Sequence, residues 1–112
     1  MKKQIATLLL CSMSLLSLVS CQPTIEAPIP SEKLVHILVD IHTAEALTES
    51  EKQEVRDSMN SIYYEQIFKQ HGVTDKDLDS TMTIYARNPV QFDSIYVQVE
   101  RMVKAKRSEL TK

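Results

Sequence analysis

From Ser31 onward the apolar residues recur every three or four positions, the spacing of helices that turn one side inward. The first helix is expected to start at Ser31, an N-cap directly after Pro30, and to run to about Leu47. Leu34, Ile37, Leu38, Ile41 and Ala44 form its main stripe, and Val35, Val39 and Ala46 widen it on one flank. So broad an apolar arc predicts a helix surrounded by others. A second helix is expected from near Ser50, where Gln53 or Glu54 offers a capping box, to Gly72, the natural left-handed residue past a helix end. Val55, Met59, Ile62, Tyr63 and Gln66 share one of its sides; Tyr64 and Phe68 lie roughly opposite, and His71 continues that second side.

Thr74 to Asp77 reads as a fresh helix start, with Asp75, Asp77 and Asp79 near the positive end of the dipole. Leu78, Met82 and Tyr85 mark this short third helix, and Asn88-Pro89 both stops it and opens the next. The fourth helix carries the cleanest stripe: Phe92, Ile95, Tyr96, Val99, Met102 and Val103. Lys104, Lys106, Arg107 and Lys112 collect at its C-terminal end, where the dipole favours cations. No run alternates convincingly with the period of a strand, so the expected fold is all-α: a small up-and-down bundle of about four helices joined by short turns.

The pattern before Ser31 is different. Lys2-Lys3 precede an apolar stretch from Ile5 to Val19, which closes on Leu18-Val19-Ser20-Cys21. These residues satisfy a lipobox at every position, so 1–20 is expected to be a removed lipoprotein signal peptide, 21–30 a lipidated cysteine with a linker, and 31–112 the helical domain. The apolar stretch is too short and too rich in serine for a membrane span, which takes about 20 apolar residues. An ordinary secreted chain with a cysteine at the cleavage site is the weaker alternative. Each buried methylene of an acyl chain contributes about 0.8 kcal/mol, so two or three chains on Cys21 anchor effectively permanently. Gln22 stands where an inner-membrane retention signal places Asp, which points to the outer membrane of a Gram-negative cell; surface-exported lipoproteins can carry an acidic cluster just after the cysteine, and with Glu26 alone there the expected side is the periplasmic one. Gln22 to Pro30 holds three of the four prolines and is expected to be a polyproline spacer; at about 3.1 Å per residue it would hold the domain roughly 25–30 Å off the bilayer.

Composition narrows the function classes. The 112 residues carry a net charge of −2, and the mature chain is more acidic once Lys2 and Lys3 are removed. Interspersed signs and an acidic balance argue against a nucleic-acid partner. An apolar fraction of 43% is that of a folded domain. Cys11 leaves with the signal and Cys21 carries lipid, so no disulfide is expected.

The residues with chemical potential cluster at Asp40-Ile41-His42-Thr43-Ala44-Glu45. Helical rotation places Glu45 between Leu34 and Leu38 on the apolar side, with His42 on its flank, three residues away and within reach. Asp40 points the other way, one turn above His36, and reads as an exposed pair with it. The plain reading of His42 and Glu45 is a polar pair inside the bundle, bonded to each other, to a tyrosine or to backbone. A metal or ligand site using His42, Glu45 and His71 is the sharper alternative, without a His-Glu-x-x-His pattern to support it. The serines lack a glycine-flanked elbow and one glycine cannot cradle a phosphate, so neither catalysis nor a cofactor is expected. Tyr64, Phe68 and His71 either receive a further helix or form an exposed patch for a partner.

Taken together, Asp40-x-His42-x-Ala44-Glu45-Ala46, Tyr63-Tyr64-x-x-Ile67-Phe68-x-x-His71-Gly72-Val73, Ser80, Tyr85, Asn88-Pro89 and Ile95-Tyr96-x-x-Val99 resemble the bacterial lipoprotein family called domain of unknown function 4296. The resemblance runs from about Pro30 to Val103 and implies a small, mostly helical lipoprotein of Gram-negative envelopes; it supplies no activity and no site residues. The expectation is therefore a non-enzymatic, lipid-anchored helical module held to the membrane through Cys21, binding an envelope protein through Tyr64, Phe68 and His71, with Asp40, His42 and Glu45 as a polar core or ligand site. A purely structural spacer fits the same sequence.

Overall fold

The computed structural model describes residues 1–7 and 24–112. Among them all regular structure is helical. Residues 2–7 are helical; the lipobox Leu18 to Cys21, with most of the expected signal, lies outside the described residues. Four helices follow: α1 Ser31–Thr48, α2 Gln53–His71, α3 Asp75–Ala86 and α4 Pro89–Leu110. The expected all-α bundle of four helices is the observed fold.

α1 is the hub. Leu34, Val35, Ile37, Leu38, Val39, Ala44 and Thr48 are all buried, because α2 packs on one side of this helix and α4 on another, while α3 lies on α4. The broad apolar arc is thus used on more than one side. On α4, Ile95 and Val99 are buried, with Phe92, Tyr96, Met102 and Val103 packed around them. Tyr85 and Thr81 are the buried residues of α3, with Leu78 and Met82 partly covered.

Local chemistry sets the helix ends. The Thr74 side chain accepts the Asp77 N–H (3.1 Å) and the Asp77 carboxylate accepts the Thr74 N–H (2.9 Å), a complete capping box that also holds the Asp77 carboxyl below its usual range. Gly72 closes α2 at φ 65°, the Val73 N–H donating to the Phe68 carbonyl and the Gly72 N–H to that of Lys69. Any side chain at residue 72 would be strained in this left-handed conformation.

Three boundaries differ from the sequence reading. Pro30, not Ser31, occupies the N-cap of α1, since its carbonyl takes the Leu34 N–H in the first turn (2.9 Å). α2 starts at Gln53 instead of Ser50: the chain reverses through a turn in which the Glu51 N–H donates to the Thr48 carbonyl, and no side-chain cap forms. Asn88 precedes α4 as expected, but its amide donates back to the Ile84 carbonyl of α3 (2.8 Å) and does not cap α4.

The proline-rich segment differs more. Ile29 is 0% exposed, Ile25 and Ala27 are packed against the core, and the Ile29 N–H donates to the buried Thr81 hydroxyl (3.1 Å), which in turn donates to the Asp77 carbonyl. Burying a side chain of this size stabilises by about 1.5–3 kcal/mol, enough to dock an irregular segment that has no backbone ladder of its own. The C-terminal half of the expected spacer is therefore a strap belonging to the domain, and the expected stand-off of the whole segment is not available.

Candidate functional site

Every residue singled out for chemistry or binding among the described residues lies on α1 or α2. Three polar pairs cross between these helices. Thr48 donates to the Asn60 side-chain oxygen (2.7 Å), the Tyr64 hydroxyl donates to Glu45 (2.5 Å), and His71 Nε2 meets Asp40 Oδ2 at 2.7 Å. Ascending α1 from Asp40 to Glu45 to Thr48 descends α2 from His71 to Tyr64 to Asn60, so the two helices run antiparallel with these pairs as the marks of their register. Ile67, buried, and Tyr63 and Phe68, partly covered, fill the same seam.

This arrangement turns the faces of α2 around. Tyr64, Phe68 and His71, the residues read as a partner patch, face α1: the helix-packing alternative holds for them. Val55 and Ile62, from the stripe expected to pack, are 46% and 54% exposed. The polar groups of α1 decide the matter, because within α2 it is the Tyr64 side that offers Asp40, Glu45 and Thr48 their hydrogen-bonding partners. The exposed pairing of Asp40 with His36 is likewise replaced. Asp40 bonds instead to His71 and to Lys106 of α4 (3.2 Å). A partly shielded contact between three helices outweighs an exposed i,i+4 pair, worth only about 0.3–0.5 kcal/mol.

Burial would raise the Asp40 carboxyl, but the hydrogen bonds and charges of His71 and Lys106 overcome it and hold the group below its usual range. Tyr64 moves the opposite way: burial, then the bond to Glu45 and the negative charge there, push its hydroxyl up to about 12. His42 stays near Glu45 (Nδ1 to Oε2 3.5 Å), with its ring edge-on to Tyr96 at 6.4 Å between centroids. The proposed ligand set of His42, Glu45 and His71 is therefore divided between two separate contacts, and no group of three possible metal ligands occurs among the described residues. The helical geometry separates the sets, because Asp40 and not Glu45 stands opposite His71.

A concave feature of the surface lies between α1 and α4. A groove of about 660 Å³, lined mostly by apolar atoms, runs past Ala46 and Leu47 on α1 and Val99, Val103 and Leu110 on α4, with His42 and Tyr96 at its edge. Lys104, Lys106 and Arg107 border it, with Glu100 the acidic exception. Lys106 is held by Asp40; Lys104 and Arg107 form no ion pair among the described residues. Helical periodicity did not reveal this groove. Its signal in the sequence was Leu47 and Leu110, large apolar residues at helix ends outside both core stripes, and both are exposed.

With this geometry in view, the comparisons carry one identification. The chain belongs to the family described as Domain of unknown function (DUF4296), whose profile matches residues 26–109. Neither the curated proteins nor the solved structures give a match. The family span starts within the strap and ends at the last turn of α4, so it includes α1, α2, α3 and all but the last residue of α4.

Proposed function

We propose that this DUF4296-family chain is a lipid-anchored, non-enzymatic adaptor of the cell envelope whose α1–α4 groove receives an acidic, amphipathic segment of a partner protein. One observation carries the reading: an open apolar groove bordered by three cations in a chain of net negative charge. Apolar side chains of the partner would displace water from the floor, and its carboxylates would meet Lys104, Arg107 and the Asp40-held Lys106. The other polar groups support a binding role over catalysis, because Asp40 with His71, Glu45 with Tyr64 and Thr48 with Asn60 serve as contacts between helices.

The anchor in this reading is lipid on Cys21, from the lipobox, and the place is a Gram-negative outer membrane, from Gln22, on its periplasmic face, from Glu26 being the one acid between Cys21 and Ser31. No described helix is long and apolar enough to cross a membrane.

A photo-crosslinking residue at Leu47 or Leu110 tests the groove in cells, with Val55 on the outer side of α2 as the control position. The expected result is a crosslinked peptide, acidic and amphipathic when sequenced by mass spectrometry, captured from the groove positions and not from Val55. The pair Lys104→Glu, Arg107→Glu should abolish capture, and exchanging acids for lysines in that peptide should restore it. Equal capture with the charges reversed, or a peptide without acidic residues, would overturn the proposal.

A further inference from the structure

A second concavity, of about 430 Å³, lies where the strap meets α3 and α4. Its lining includes Thr24, Ser31, Gln91, Ser94, Gln98 and the exposed Val90, and not one of its residues is charged. That is an unusual surface in a chain whose residues are 25% charged, and it contrasts with the cation-bordered groove between α1 and α4. Val90 is 75% exposed on the first turn of α4, directly after Pro89.

The position of this face is set by chain length. Ile25 is packed against the core, and the Ile29 N–H fixes the strap to Thr81. Only Gln22, Pro23 and Thr24 separate Ile25 from Cys21, and four residues span at most about 14 Å even when fully extended. Lys104 to Arg107 lie farther away along α4, about 21–26 Å from Val90 at 1.5 Å rise per residue.

Resting on lipidation of Cys21 as proposed above, we infer that this uncharged surface, from Thr24, Pro30 and Ser31 to Val90, Gln91, Ser94 and Gln98, forms a membrane-seating face that excludes the exposed Glu26 and Asp93 of the same segments. Val90 enters the interfacial region and the hydroxyl and amide side chains of Thr24, Ser31, Gln91, Ser94 and Gln98 meet zwitterionic headgroups. Because the lining has no charge, the contact does not depend on anionic lipid or on salt. The basic end of α4 then faces away from the anchoring bilayer, which leaves the α1–α4 groove open to a partner.

The test uses the processed protein purified from membranes of the producing cells, with its intact mass measured before reconstitution. It is placed in phosphatidylethanolamine–phosphatidylcholine nanodiscs containing a gadolinium-chelating lipid, and paramagnetic broadening is read residue by residue by NMR. The expected pattern is broadening at Thr24, Ile25, Val90, Gln91 and Ser94 at least twofold greater than at Lys104, Arg107 and Leu110, unchanged by added phosphatidylglycerol. Val90→Glu, at an exposed position that leaves the fold intact by circular dichroism, should reduce broadening at Gln91 and Ser94. A lipid-bearing mass with uniform broadening, or with the stronger effect at the basic end, overturns the seating alone. A mass without lipid overturns the anchor and the seating together, so the two failures are distinguishable.

Discussion

Where α1 meets α2, three polar pairs cross the seam and α2 contributes Ile67 as its buried residue. Where α1 meets α4, Ile95 and Val99 are buried and the single ion pair from Asp40 to Lys106 crosses at the margin. A hydrogen bond contributes a net of about 0.5–1.5 kcal/mol, and a fully buried aliphatic side chain about 1.5–3 kcal/mol. The polar seam consequently fixes register more than it adds stability, since sliding α2 by one turn would break all three pairs at once. The apolar seam provides adhesion and tolerates imperfect closure, which is where the groove arises.

Ile95→Ala tests the adhesive seam and should have the largest effect, lowering unfolding free energy by about 2–5 kcal/mol in urea titration. The same truncation of Ile67 should cost less; an equal or greater loss would refute the division of roles. Asp40→Asn comes next, at about 1–2 kcal/mol near neutral pH, because it weakens contacts to α2 and α4 together. The Asp40 carboxyl lies below its ordinary 3.8 in the folded chain, so its stabilisation is present above that value and is lost as the pH falls through the folded one. Thermal midpoints of wild type and variant should therefore converge in acid; a gap that persists would assign the effect to packing. Tyr64→Phe should cost least, about 1 kcal/mol near neutral pH, by removing one hydrogen bond while keeping the ring. With the hydroxyl raised from 10 to about 12, its stabilisation is complete below pH 10 and is lost as the pH climbs towards 12. The wild type should lose that increment in alkali and the variant should not.

The division also explains which features were legible in the sequence. α1 and α4 carry continuous apolar stripes, and most residues of those stripes are buried or partly covered, Ala46 being the exposed exception. Thr74 with Asp77, and Gly72, were legible because a cap is a local arrangement whose partners lie within a few residues. The inward side of α2 was harder to read: Val55, Met59 and Ile62 look as apolar as Tyr64, Ile67 and Phe68. What separates them is the complementarity of Asp40, Glu45 and Thr48 on another helix, which periodicity within one helix cannot express. The same holds for Asp40, whose partners stand 31 and 66 residues away. Ile25, Ala27 and Ile29 were obscured by the prolines around them, Pro23, Pro28 and Pro30, which announce an extended path but not whether it packs. The groove is a property of two helices at once and belongs to the same class.

The hub role of α1 has a consequence for biosynthesis. Its broad apolar arc is synthesised ahead of everything that covers it, and its adhesive partner is the last helix of the chain. At about 5–20 residues per second, the interval between Val39 and Val99 leaving the ribosome is on the order of 3–12 s. An exported chain packs only after crossing the membrane, so in the reading proposed above the arc of α1 stays uncovered through that interval and through translocation, which marks α1 as the segment a holding chaperone would grip.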